Sequence, residues 1–427
     1  MVSLLPFQGF HYNAEKVKDF GLVIAPPYDQ ISEDMQNHLY EQSPYNFIRL
    51  IFGKVFPEDN EAENRYTRAE KSLTQWRQDG VLVQDKEPGF YLYEQKFQLY
   101  DQWLTRTGLV GLMRLEPLGK GVFPHEKTFP KPKEDRLKLM KTCKSNFEHV
   151  FFLYDDPDHS FDKILNPSRA VLLFSCKDAA GTTHTISKIL EPEVLRSISS
   201  FFKDKNLLIA DGHHRYETSL AYQQELRSIF CSSTVDEAPF NFRLGTFVSL
   251  QNKGLKILPT HRVLKNLSES QIQLLEQGLN HYFDLNTAPD LSSMLERMGR
   301  KNHSFGVTLG GKFLAAVLKP SVDIEKEFPE VPAVLRELDV FLLHHLIFQR
   351  LLQIPAEKSD EWIEYIRWPE EVLQRIKNNS HRAAFFLNPV KPEQVRKVAE
   401  SGEKMPHKST DFYPKLWSGL VFYKMDF

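Results

Sequence analysis

Leu207-Leu208-Ile209-Ala210 runs directly into Asp211-Gly212-His213-His214-Arg215-Tyr216-Glu217-Thr218. The apolar run predicts a short buried strand, and residues 215–230 carry the pattern of a helix. A strand, a glycine turn and a helix start must therefore fit into a few residues. That demand points to an α/β (α+β) chain in which mixed sheets carry flanking helices.

The same segment holds chemistry. Backbone N–H groups at a helix N-terminus point at whatever sits there, and the helix dipole favours an anion. Gly212 lets backbone approach a ligand closely. Arg215 can grip phosphate oxygens with both arms of its fork. Asp211 can hold Mg²⁺ together with substrate phosphates, or orient a hydroxyl. The plainer alternative is that Asp211 only caps the helix and that His213 and His214 are incidental. Two histidines and an arginine on one turn exceed what a cap needs.

The first landmark upstream is Ile24-Ala25-Pro26-Pro27-Tyr28-Asp29, an apolar stretch that turns at two prolines. Ser32 is placed to cap a following helix. Residues 46–52 read as a buried strand, and residues 60–79 as a charged amphipathic helix stopped at Asp79-Gly80. Strands are expected over 90–97, after a turn near Asp101, over 105–115, and over 148–154. Residues 135–147 read as a helix, and residues 170–190 alternate like paired strands. Farther on, strands near 244–250 and 305–319 alternate with helices near 268–283, 333–353 and 391–401. A composition shift near 240 suggests two regions. Residues 1–240 carry the PPYD, PHE and DGHHR motifs, and residues 241–427 carry the PHKST and FYPK loop.

Composition narrows the function classes. Apolar residues are 41% and charged residues 26%, the balance of a soluble globular protein. A formal net charge of -2 supplies no basic field, so no nucleic-acid partner is expected. Cys143, Cys176 and Cys231 are widely spaced and odd in number, which fits a reducing cytoplasm better than a disulfide framework. The N-terminus has no basic segment followed by a long apolar run. No stretch reaches the roughly 18 apolar residues of a membrane span, so no membrane partner is expected.

Two further clusters are candidates. His125 and Glu126, in Pro124-His125-Glu126-Lys127-Thr128, offer an acid/base couple. Lys408, Ser409, Thr410 and Lys415 mix lysines with hydroxyls in a loop, which suits phosphate. Both compositions are also common in solvated loops. His261-Arg262 is a weaker candidate, and His344-His345 reads as part of a helix. A metal set drawn from Asp211, His125, His213 and His214 is conceivable, although adjacent histidines diverge and rarely share a metal. Neither HExxH nor the GxxxxGK[ST] phosphate loop is present.

The segments APPYDQIS, NFIRLIFGK, FPHEKTF, IADGHHRYETSLAYQ and MPHKSTDFYPKLWSGL occur in this order. On them the chain, from about residue 5 to 424, is identified as a member of the domain of unknown function 1015 family. Its Asp-Gly-His-His-Arg run also resembles the phosphate-contacting motif of the ParB/sulfiredoxin-like nucleotide-binding superfamily, and that of its free-serine kinases in particular. The resemblance implies a ParB/sulfiredoxin-like core with large insertions, since residues 30–210 separate the PPYD and DGHHR motifs. It implies a small-molecule kinase that moves phosphate from ATP or ADP to a hydroxyl, with free L-serine giving O-phosphoserine as the first choice. Asp211, His213, His214, His125 and Glu126 would then be catalytic. Gly212, Arg215, Lys408, Ser409, Thr410 and Lys415 would bind phosphate or nucleotide. Mg²⁺ is implied by the chemistry, with Asp211 as its ligand. Residues 124–128, 211–215 and 408–415 are expected to converge on one pocket. A metal-dependent phosphatase or phosphodiesterase, and a non-catalytic nucleotide-binding switch, are the alternatives. The sequence leaves the oligomeric state open.

Overall fold

The apolar strands build a mixed sheet. A computed structural model describes residues 2–165, 169–230, 235–265, 267–299, 303–378 and 383–426. In it the strands run, edge to edge, Val122–Pro124, Leu207–Asp211, Val150–Tyr154, Phe242–Ser249, Gln102–Arg114, Phe90–Leu99, Thr183–Ile189 and Val171–Lys177. Leu4–Leu5 also pairs with Gln102–Arg114. Most neighbours are antiparallel, but Leu207–Asp211 lies parallel to Val122–Pro124, and Phe242–Ser249 parallel to Val150–Tyr154. The mixed α/β architecture is thus present.

Leu207–Asp211 has a strand on each side, so its backbone is satisfied and its side chains are free to be apolar. Leu207, Ile209, Phe152, Phe247, Ile198, Phe202 and Tyr216 share one buried cluster with Phe90 and Met113. Phe152 stacks on Phe247 with ring centroids 5.0 Å apart. Each such side chain contributes about 1.5–3 kcal/mol by leaving water. The cluster joins the strand Leu207–Asp211 to the helix His213–Ile229 through Tyr216.

The expected strands after the Asp101 turn and over 105–115 are one long strand, Gln102–Arg114. It pairs with Phe90–Leu99 in a tight hairpin whose turn holds Tyr100 at φ 51°. Residues 46–52 are not a strand, and Ile48–Ile51 is a single helical turn. The apolar run is buried as predicted, but buried Asn46 dictates the backbone. Its Oδ1 accepts from the Ile48 N–H at 3.0 Å, and its Nδ2 donates to the carbonyls of Leu22 and Ile24 at 2.8 and 3.2 Å. Replacing Asn46 with alanine orphans these groups and is expected to cost about 2 kcal/mol. An unchanged urea midpoint would contradict this role for the side chain. The segment 333–353 is helical in pieces, Ala333–Arg336, Asp339–Leu342 and Leu343–Leu351.

The chain divides into two compact units. The first comprises Met1–Pro124, Thr128–Lys256 and Pro414–Phe427, and the second His125–Lys127 and Ile257–Tyr413. The division falls at Lys256 rather than near 240 because Phe242–Ser249 is paired on both sides within the first unit's sheet. The end of the chain also returns to the first unit, where Tyr423–Lys424 pairs with Ser145–Asn146. The second unit carries an antiparallel sheet in the order Phe283–Ala288, Lys312–Leu318, Ser304–Leu309, Ala383–Phe386, His261–Leu264 and Ile363–Ile366. Its core includes Val263, Met294, Met298 and Phe386.

Cys143 and Cys176 are free and buried, and burial lifts both thiols to about 12. Cys231 lies outside the described residues. Among the described residues no helix is long and apolar enough to cross a membrane.

Candidate functional site

Gly212 forms the joint between the strand Leu207–Asp211 and the helix His213–Ile229, at φ 93° and ψ 27°. Only glycine adopts this region without strain. A side chain there would also meet Arg215, because a Cβ would stand 2.9 Å from its Nε and 3.1 Å from its Cζ. The Arg215 guanidinium therefore folds back over the turn. Gly212→Ala is expected to cost about 1–3 kcal/mol from backbone strain and to push Arg215 away. Thermal unfolding and nucleotide titration of that variant check both effects.

Arg215 is buried, with Nη1 donating to the His149 carbonyl at 2.6 Å and Nη2 to Asp211 Oδ1 at 3.2 Å. The other carboxylate oxygen of Asp211 accepts from Lys415 Nζ at 3.2 Å. Lys415 is placed by its neighbours: Gln95 donates to its carbonyl at 2.9 Å, and Arg106 donates to the carbonyl of Pro414. Burial alone would raise the Asp211 pKa, but Lys415 and Arg215 together hold it far below the carboxylate range.

Asp29 belongs to the same electrostatic group. It sits in the turn Tyr28–Gln30 that follows Pro27. Its side chain is exposed by surface area, yet neighbouring protein atoms crowd it. That crowding and the Asp211 charge raise its pKa, while Arg215 and Lys415 oppose the rise. The turn is anchored by Glu148, whose Oε1 accepts from the Tyr28 N–H at 3.3 Å and whose Oε2 pairs with Arg136 Nη1 at 3.2 Å. Arg136 also lies 4.0 Å over the Tyr28 ring. Sequence reasoning noted PPYD as a landmark but assigned Asp29 no role. The signal available was a carboxylate held just after two prolines, in a rigid turn.

His149, below Arg215, is buried and neutral, with its pKa pushed down to about 4 by burial. Its Nε2 faces the Val421 carbonyl at 2.7 Å and its Nδ1 faces Thr246 Oγ1 at 2.7 Å. A carbonyl only accepts, so Nε2 carries the proton and Nδ1 accepts from threonine.

The remaining predicted residues divide between the units. In the first, His213 is buried, and His214 Nε2 accepts from the Phe129 N–H at 2.9 Å. Next to it Glu217 accepts from Thr128 at 2.7 Å and pairs with Lys133 at 2.9 Å. In the second unit, buried His125 has Nε2 2.9 Å from Thr410 Oγ1, and Glu126 lies 3.5 Å from His407 Nδ1. Lys408 takes φ 56°, and its carbonyl accepts from Arg262 at 3.0 Å, while Ser409 donates to the Pro406 carbonyl. The structure thus brings Lys415 to Asp211, and Thr410 to His125. His345 stacks on Phe341 with centroids 4.0 Å apart.

The donor set does not form a cage for a metal. Among the described residues no three of His, Cys, Asp and Glu stand together as ligands. Asp211 already has both oxygens committed to cations. A protein-held Mg²⁺ at Asp211 does not fit these contacts, and no step below uses one.

A family model described as protein of unknown function (DUF1015) matches residues 4–341. The chain belongs to that family. No curated protein matches this DUF1015 chain. Among solved structures it is similar to a mutant free serine kinase in complex with AMP, at 14% identity over 72% of this chain and 90% of that one, with a TM-score of 0.36. A conserved hypothetical protein from Pyrococcus furiosus matches at 13% identity, covering 72% of this chain and 93% of its own, with a TM-score of 0.36. SbnI with C-terminal truncation from Staphylococcus aureus matches at 11% identity, covering 73% of this chain and 86% of its own, with a TM-score of 0.35.

Proposed function

We propose that the DUF1015 chain binds a nucleotide at the Asp211–Arg215 turn, in a ParB/sulfiredoxin-like core, and transfers its terminal phosphate to a small hydroxylated acceptor. One observation carries this reading. Beside the Gly212 turn, Asp211 holds Arg215 Nη2 on one oxygen and Lys415 Nζ on the other, each at 3.2 Å, and the charges of both cations also act on Asp29, whose pKa is shifted upward while that of Asp211 is shifted downward. Neighbouring acids with separated pKa values are how a fold assigns a proton acceptor and a permanently charged partner.

Phosphoryl transfer needs positioning and charge neutralisation more than covalent chemistry. Arg215, Lys415 and the helix N-terminus would hold the phosphates, and Gly212 would let them close on the backbone. Asp211 would keep the two cations in place. Asp29 is the better base, because Asp211 is held ionised by two cations and is correspondingly weak. The acceptor oxygen attacks the terminal phosphorus and its proton passes to Asp29. The bond to the leaving phosphate breaks, and the electron pair leaves with the shortened nucleotide. His213 and His214 would stabilise the group in flight.

The DGHHR resemblance supports free L-serine as acceptor and ATP or ADP as donor. The purified chain, incubated with either nucleotide and a panel of hydroxyl amino acids and small alcohols, is expected to yield O-phosphoserine, followed by phosphorus NMR. Turnover with another acceptor and none with serine would remove the serine assignment. Nucleotide binding without any product would leave a binding switch.

A further inference from the structure

The first unit contains a small cavity lined by three arginines, Arg136, Arg215 and Arg243, and by a single acid, Glu148, with Leu139 and Phe147 among its apolar walls. All six of these side chains are buried or nearly so. Two of the arginines have carboxylate partners. Arg136 pairs with Glu148 at 3.2 Å and Asp135 at 2.5 Å, and Arg215 with Asp211 at 3.2 Å.

Arg243 has no such partner among the described residues. It is 2% exposed. Its Nη2 donates to the Glu148 backbone carbonyl, and its Nη1 reaches Ser219 Oγ at 3.5 Å. Its Nε is buried and has no acceptor among the described residues. Burial and the neighbouring Arg215 lower its pKa to about 9, against the opposing charge of Glu148, which leaves it charged at neutral pH. A buried guanidinium with an unfilled donor and no directly paired carboxylate is costly, and an ion of opposite sign relieves both faults.

We propose that this cavity is a binding site for a small monovalent anion of the halide class, held by Arg243 together with Arg215 and Arg136. Three guanidinium groups face one carboxylate in the lining, and the small space between them suits a small ion. The site is distinct from the proposed phosphate turn, although Arg215 borders both. Its occupant would also help fix the guanidinium that the nucleotide is proposed to meet.

Sodium bromide tests the proposal on the full chain. Anomalous diffraction at the bromine edge is expected to show a peak within hydrogen-bond reach of Arg243 Nε. In solution, bromide compared with gluconate at equal ionic strength is expected to raise the melting temperature by roughly 3 °C per tenfold rise above half-saturation. Arg243→Met keeps the bulk, removes the charge and is expected to abolish that difference. The diffraction arm stands even if this variant fails to fold. An ordered water without anomalous signal overturns the proposal. A peak without any stability difference marks an adventitious ion only and overturns it equally.

Discussion

Replacing Arg215 with alanine is expected to lower the unfolding free energy by about 3 kcal/mol and to abolish nucleotide binding. Removing one member of a buried ion pair leaves the other charged and poorly solvated. Here the abandoned groups are Asp211 and the His149 carbonyl, both of which Arg215 serves. Lys415 still holds one oxygen of Asp211, which keeps the loss at the lower end of the range for broken buried pairs. Arg215→Lys separates stability from recognition. It restores a positive charge near Asp211, yet lacks the planar fork that reaches two acceptors at once. The lysine variant should therefore recover part of the stability and little of the binding. Urea unfolding and calorimetric titration with ATP and ADP measure the two quantities. An alanine variant that binds nucleotide as tightly as the wild type would remove the turn from the site.

Asp29→Asn is expected to reduce phosphate transfer by roughly 10²- to 10⁴-fold, the usual worth of a positioned base. The same change is expected to make the protein more stable at neutral pH. The sign follows from the raised pKa of Asp29, which crowding and the Asp211 charge produce. Below the unfolded carboxyl pKa, both states carry the proton and the contribution is fully present. As pH rises through the folded pKa, the native state must ionise an acid it prefers neutral, and stability falls. Asparagine is neutral throughout, so the loss disappears. Asp211 acts in the opposite sense, because its folded pKa is depressed. Its contribution is present above the ordinary carboxylate range and is lost as pH falls through the folded value. Urea melts of wild type and Asp29→Asn between about pH 3 and about pH 7 isolate the Asp29 effect. Transfer by the wild type should weaken on the acid side, where Asp29 holds its proton. A variant with undiminished turnover would move the base elsewhere.

The strand–glycine–helix around Asp211 was legible in the sequence because each of its causes is local. An apolar run makes the strand, Gly212 takes the positive φ, and Arg215 lies one helical turn from Asp211. Most strands and helices were legible for the same reason. Residues 46–52 were misread because apolar content alone does not distinguish a buried strand from a buried helical turn. The deciding bonds run from Asn46 to Leu22 and Ile24, far back in the chain.

By itself, the sequence determined that an α/β framework presents a phosphate-suited turn at residues 211–215, since propensity, glycine conformation and helix-end chemistry act over a few residues. Only the tertiary structure decided which distant groups complete that turn. Lys415 reaches Asp211 because Gln95 and Arg106 hold the returning C-terminal segment, and Asp29 joins them from a turn braced by Glu148. The opposite pKa shifts of the two carboxylates arise from crowding and charge packing around them. Both depend on distance in space, to which spacing along the chain is blind.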